Sequence, residues 1–185
     1  MPDQTQSASI LEIVKVFISL LTPIMTGSIA LVIFLLGTRL DRTKQLHHSL
    51  LGKRMSLFEQ VAPLINDVYC FFQAVGHWAE LNPEEVIKRK RAIDRALNIN
   101  RYLFGARFWD AYKAFETLHF EMFASPGQPA RLRLDTSYVR ERLGPYFKKE
   151  WENYLSTQPG SRQAQAESYN RLMDTFGSEV KGEAA

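Results

Sequence analysis

Residues 16 to 36 carry no charged side chain, and this run of 21 residues is mostly Val, Ile, Leu and Phe. A helix rises ~1.5 Å per residue, so the run matches the ~30 Å hydrocarbon thickness of a bilayer. The chain is expected to be threaded once through lipid, with everything else built outside it. Three alternatives compete. A cleaved signal peptide has a basic flank, a shorter apolar core and a small-residue cleavage site. Here Asp3 and Glu12 face Lys15 alone, and the core is followed by Gly37-Thr38-Arg39-Leu40-Asp41. A fully buried core helix would also be apolar all round. A re-entrant hairpin broken at Pro23 to Gly27 would leave two arms too short to span.

The flanking charge sets the orientation. Arg39, Arg42, Lys44, Lys53 and Arg54 follow the run, whereas only Lys15 precedes it. Lys and Arg in short flanks are retained in the cytoplasm, so the N-terminus is expected outside and the C-terminus inside. Ser19, Pro23 and Gly27 recur at intervals of four. Small residues at that spacing let a second helix approach, which suggests a face for self-association. The competing reading is that such residues are simply common in membrane helices.

The rest of the chain has the composition of one packed domain. The sequence is 45% hydrophobic and 12% aromatic, with 23 Lys and Arg against 20 Asp and Glu. Only Asp3, Glu12 and Lys15 precede the run, so the basic excess lies after it. Cys70 is the sole cysteine, which excludes an internal disulfide and fits a reducing compartment.

Helical periodicity dominates from residue 50 onward. Two adjacent apolar rows, one through Phe58, Ala62, Ile65 and Phe72 and one through Leu57, Val61, Val68 and Phe71, predict a helix packed on several neighbours. Pro63 inside this pattern predicts a kink or a break. Asn82-Pro83-Glu84-Glu85 is a strong helix start, with a capping Asn, Pro at the first position and two acids near the dipole's positive end. That helix is expected to reach Leu103, with Val86, Ile87, Ile93, Leu97 and Leu103 inward and Gly105 closing it. The next, from about Arg107 to Phe123, is expected to bury its aromatic residues. A loop at Ser125-Pro126-Gly127-Gln128-Pro129 leads to a helix capped by Asp135 or Ser137 and bent or split at Gly144-Pro145. A short last helix carries Leu172 and Phe176.

The predicted fold is all-α: one N-terminal transmembrane helix followed by a cytosolic bundle of about four to five helices. Its segments are an extracytoplasmic stretch at 1–15, the transmembrane helix at 16–36, a basic juxtamembrane segment at 37–54, a helical domain at 55–176 and a disordered tail at 177–185.

Leu81 to Ile87, then Lys90-Arg91-Ala92-Ile93-Asp94-Arg95, Tyr102-Leu103-Phe104-Gly105 and the Gln128 to Arg133 stretch resemble a loosely defined group of bacterial single-pass membrane-anchored helical proteins. The resemblance covers roughly residues 50 to 155. It implies an origin in a bacterial inner membrane and carries over no catalytic residue.

Catalytic motifs are absent from the sequence. There is no Gly-rich phosphate loop, no Gly-x-Ser-x-Gly elbow and no His-Glu-x-x-His helix. His119-Phe120-Glu121 begins like a zinc deaminase motif, but one cysteine cannot complete it. His47 and His48 are adjacent and diverge by about 100° on a helix. A metal held by His77, His119 and distant carboxylates, an acid–base pair of Glu116 and Glu121, and a pocket among Trp78, Trp109 and Tyr112 are the enzymatic options, each weaker than an ordinary structural role. No cofactor, metal or small-molecule substrate is inferred.

The charge feature to weigh is Lys88-Arg89-Lys90-Arg91 with Arg95. Lys88, Arg91 and Arg95 share one helix side and form a ridge suited to anionic lipid or, less readily, nucleic acid. Pairing of Glu84 with Lys88, Glu85 with Arg89 and Arg91 with Asp94 would neutralise it. The functional expectation is a membrane-anchored module acting through a protein partner or self-association. An oligomerising membrane-perturbing effector and a ridge that binds anionic ligands are the alternatives.

Overall fold

A computed structural model gives the fold and describes residues 4–122 and 130–183. Along the first helix the side chains of residues 4–14 and of Val16, Leu20, Thr22, Ile24 and Thr43 fall outside that description. The described residues are mostly helical, in agreement with an all-α class. They fall into two compact units, Met1–Ser49 and Leu50–Ala185.

The first unit is helical, as part of α1, Gln4–Gln73. The helix is unbroken through Pro23 and Gly27, so the re-entrant hairpin is not formed. Phe17, Leu21, Ile29, Ile33, Phe34 and Leu36 are all half exposed or more, so the segment is not a core helix either. Among the described residues no helix is long and apolar enough to cross a membrane. The transmembrane helix expected at 16–36 therefore lacks their support. The described part of the run is diluted by Ser19, Pro23, Thr26, Gly27 and Ser28, while the apolar Val16, Leu20 and Ile24 side chains are outside the description.

The second unit builds its core on the remainder of α1, where Val61, Ile65, Val68 and Phe72 are fully buried. Pro63 does not break this helix. Its missing N–H orphans the carbonyl of Glu59, and both residues lie on the solvent side, where water can satisfy that oxygen.

Helix α2, Pro83–Ile99, starts as expected. The Asn82 side chain accepts from the Glu85 backbone N–H at 3.0 Å, and the Glu85 carboxylate accepts from the Asn82 N–H at 3.1 Å. This reciprocal capping satisfies two otherwise orphaned donors. Val86, Ile87, Ile93 and Leu97 point inward. The helix stops short of Leu103 because Asn100 turns its amide back to the Ala96 carbonyl at 2.8 Å, competing with helix continuation. Arg101–Leu103 follows as a single 3-10 turn, and Gly105 precedes α3, Ala106–His119, rather than closing α2.

Helix α3 ends four residues earlier than its aromatic run suggests, because Phe120–Glu121 (β1) pairs antiparallel with Arg131–Leu132 (β2). Phe108, Tyr112, Phe115 and Phe120 are buried, Trp109 and Leu118 are half-buried, Met122 is exposed, and Phe123 lies outside the described residues. The 125–129 loop lies outside them too. Asp135 caps α4, Thr136–Leu143, by accepting from the Ser137 and Tyr138 backbone N–H groups. Gly144, at φ +50°, then turns the chain into two 3-10 segments, Gly144–Tyr146 and Lys149–Tyr154, so the expected helix is split.

Helix α5, Arg162–Lys181, packs along α3. Phe176 is its anchor, with the rings of Phe58, Phe104 and Phe108 at 4.9, 5.3 and 4.9 Å. The helix includes most of the tail expected to be disordered. Glu179 and Val180 are buried there, and Glu179 is held by an ion pair with Arg54. Arg54, expected as part of the basic juxtamembrane segment, is thus committed to the fold.

Candidate functional site

The basic run on α2 divides between the interior and solvent. Lys90 is buried and bonds Asp94 at 2.5 Å and Glu116 of α3 at 2.8 Å, while Tyr112 donates its hydroxyl to Asp94. Burial and the neighbouring Asp94 carboxylate push the Tyr112 phenol far upward, so it stays a neutral donor. Arg89 reaches back to Asp67 of α1, which also pairs with His77 Nε2 at 2.9 Å. Lys88 pairs with Glu84 at 2.9 Å, as helical spacing suggests. Neither of the other two expected neutralising pairs forms: Arg89 goes to Asp67, and Asp94 is occupied by Lys90 and Tyr112.

Arg91 and Arg95 remain on the outside, one turn apart, and no ion pair reaches either among the described residues. They line a surface depression of about 510 Å³ with Gln60 from α1, the small Ala92 and Ala96, and Ile99 and Asn100. Gln60 and Asn100 also line an adjoining depression of about 270 Å³, together with Lys53, Ser56, Leu57, Tyr102 and Leu103. The two depressions share Gln60 and Asn100 and adjoin in a cleft where α1 faces the C-terminal part of α2 and the turn after it. Three cations border it, and no carboxylate, imidazole or thiol lines it. Such a surface suits anion binding, since guanidinium groups present forked donors to phosphate oxygens.

Of the ridge, Lys88, Arg91 and Arg95, two members meet at the cleft and Lys88 stands apart on its Glu84 pair. Gln60, Ile99, Asn100 and Tyr102 were not legible as site residues, because α1 and α2 meet only through tertiary packing. A signal existed for Ile99, which falls outside the inward set of α2.

The other candidates disperse. Ser19, Pro23 and Gly27 are exposed in the first unit, and a Cβ at Gly27 would meet nothing within 4 Å. Glu116 is spent on Lys90, and Glu121 accepts from Ser156 at 2.5 Å. Trp109 and Tyr112 stack edge-on at 5.9 Å, whereas Trp78 packs beside Phe71, Tyr138 and Leu143. His119 is fully buried among Phe72, Phe115 and Phe120, with Nδ1 donating to the Phe115 carbonyl at 2.9 Å and Nε2 unpartnered. Burial lowers its pKa to about 4. Cys70 is buried, and burial raises its thiol pKa. Among the described residues no cluster of His, Cys, Asp and Glu has the arrangement of a metal site.

Comparison with protein-family models, with curated proteins and with solved structures found no match.

Proposed function

We propose that the chain is a single-pass membrane-anchored helical module of a bacterial inner membrane, which holds its second unit on the cytoplasmic side and works there by binding, as an interaction or scaffolding domain. One observation carries this reading. Eleven large apolar side chains described between Phe17 and Leu36 stand 50–69% exposed, while the second unit closes its own core. Fully burying a side chain of this kind is worth roughly 1.5–3 kcal/mol, so the exposed half or more of these eleven forgoes on the order of 10–20 kcal/mol. A covering phase must supply that burial, and an uncharged run of bilayer length selects lipid over a protein groove. The basic flank at Arg39, Arg42 and Lys44 supports a cytoplasmic position for the residues C-terminal to the run.

Binding rather than catalysis fits the cleft, which collects cations and amides without an acid–base pair. Alkaline carbonate extraction of membranes from cells expressing the full chain tests the anchor. The protein is expected to stay in the pellet, and its release into the supernatant would contradict an integral span.

A further inference from the structure

We propose that the cleft on the second unit is a binding site for a nucleoside di- or triphosphate, with Arg91 and Arg95 on the phosphates and Tyr102 stacked on the base. The inference rests on the reading of this cleft as a binding surface and names its ligand. It uses residues of the second unit alone and is independent of where residues 16 to 36 reside.

The phosphate end is the depression lined by Arg91 and Arg95. Four positions apart on α2, they stand ~6 Å apart along the helix axis and offer two forked guanidinium groups on one side. Asp94 lies between them in sequence but is occupied by Lys90 and Tyr112, and no ion pair reaches either arginine among the described residues. Their charge is left for a ligand from outside. Ala92 and Ala96 line the same depression with a methyl group each, which leaves phosphate oxygens room beside the helix.

The base end is the adjoining depression, where the Tyr102 ring is 72% exposed beside Lys53. An open aromatic face accepts any nucleobase. Its place is fixed in advance, because Arg54 donates to the Leu103 carbonyl at 2.6 Å and the Leu103 side chain is buried, which holds the turn against α1. Gln60 and Asn100 line both depressions and so lie between the two ends. Asn100 donates to the Ala96 carbonyl and keeps its Oδ1 as an acceptor, while Gln60 offers a donor and an acceptor, the groups that ribose and base edges require.

Size agrees with an elongated ligand. Arg91 and Asn100 are separated by ~13 Å of helix, more than a lone phosphate can bridge. A nucleic-acid strand fits less well, since strands are held by successive aromatic platforms and Tyr102 is the one aromatic residue lining this cleft.

The test is isothermal titration calorimetry on the full chain in an uncharged detergent, a setting that serves whether or not the chain spans a membrane. Each of the common ribonucleoside triphosphates and diphosphates is titrated. Tripolyphosphate, which has the charge without the ring, and a short single-stranded RNA are titrated alongside. At least one nucleotide is expected to bind once per chain, about ten-fold or more tighter than tripolyphosphate. Tyr102→Ala should bring that nucleotide down to the affinity of tripolyphosphate and leave tripolyphosphate unchanged. Arg91→Gln with Arg95→Gln should weaken both by about ten-fold or more, while Lys113→Gln with Lys149→Gln, away from the cleft lining, should change neither. All five side chains are exposed, so the thermal melts of the variants should match the parent. The proposal is overturned if no nucleotide binds, if none binds tighter than tripolyphosphate, or if binding survives Tyr102→Ala or the arginine pair undiminished. RNA that binds tighter than every nucleotide and is lost in the same variants overturns it as well and reassigns the cleft to nucleic acid. Carbonate extraction reports on the anchor separately.

Discussion

The Arg54 guanidinium closes on Glu179, 125 positions later, donating to its carboxylate at 3.1 Å and to its backbone carbonyl at 2.9 Å. The other carboxylate oxygen accepts from the Gly105 N–H at 2.8 Å, so one buried acid ties together α1, the entry to α3 and the end of α5. Removing one partner of a buried pair leaves the other charge uncompensated. Glu179→Leu should therefore cost about 3–5 kcal/mol. Urea unfolding followed by the fluorescence of Trp78, Trp109 and Trp151, all in the second unit, measures it. Arg54→Met combined with Glu179→Leu should recover much of the loss, since neither charge is then stranded.

Lys90 holds the corresponding position between α2 and α3. Lys90→Met would leave Asp94 and Glu116 facing each other without a cation, at a cost of about 3–5 kcal/mol in the same assay. Tyr112→Phe removes only the hydroxyl bond to Asp94 and should cost about 1.5–3 kcal/mol. A cost for Lys90→Met no larger than that of an exposed lysine would show that the network is not built as described.

The buried His119 gives stability a pH dependence. Its folded pKa of about 4 lies below the ordinary 6.5, so the unfolded chain takes up a proton first as pH falls. Stability is complete above pH 6.5 and is lost between 6.5 and about 4, amounting to about 3 kcal/mol from this group. His119→Phe should flatten the profile over that window relative to the parent, as read from urea midpoints at successive pH values.

Pro63 and Gly160 respond to alanine in opposite directions. Pro63 is exposed inside α1, so Pro63→Ala restores a backbone donor and should stabilise by about 1–3 kcal/mol. A Cβ at Gly160 would lie 2.7 Å from Gln165 Nε2 and 2.9 Å from the Leu118 carbonyl, an atom of the backbone. Gly160→Ala should cost about 1–3 kcal/mol, and thermal melts of the two variants should bracket the parent.

The features legible in the sequence were local. The Asn82 to Glu85 start, the inward Val86, Ile87, Ile93 and Leu97, and the Asp135 cap depend on neighbours within a few positions, and each is formed as expected. Features that depend on distant partners were not legible. Lys90 and Arg89 look like surface cations until Glu116 and Asp67 arrive from other helices, 26 and 22 positions away. Glu179 sits among small and polar residues that suggest fraying, and only Arg54 explains its burial. The cleft shares this origin: the ridge supplied Arg91 and Arg95, and the packing of α1 on α2 supplied the rest.

Two-sided cysteine labelling tests the placement of residues 16 to 36 most directly. In intact spheroplasts, a membrane-impermeant maleimide should reach Ser7→Cys at once and Asn153→Cys only after permeabilisation. Equal protection or equal reactivity of the two sites would contradict a span between them.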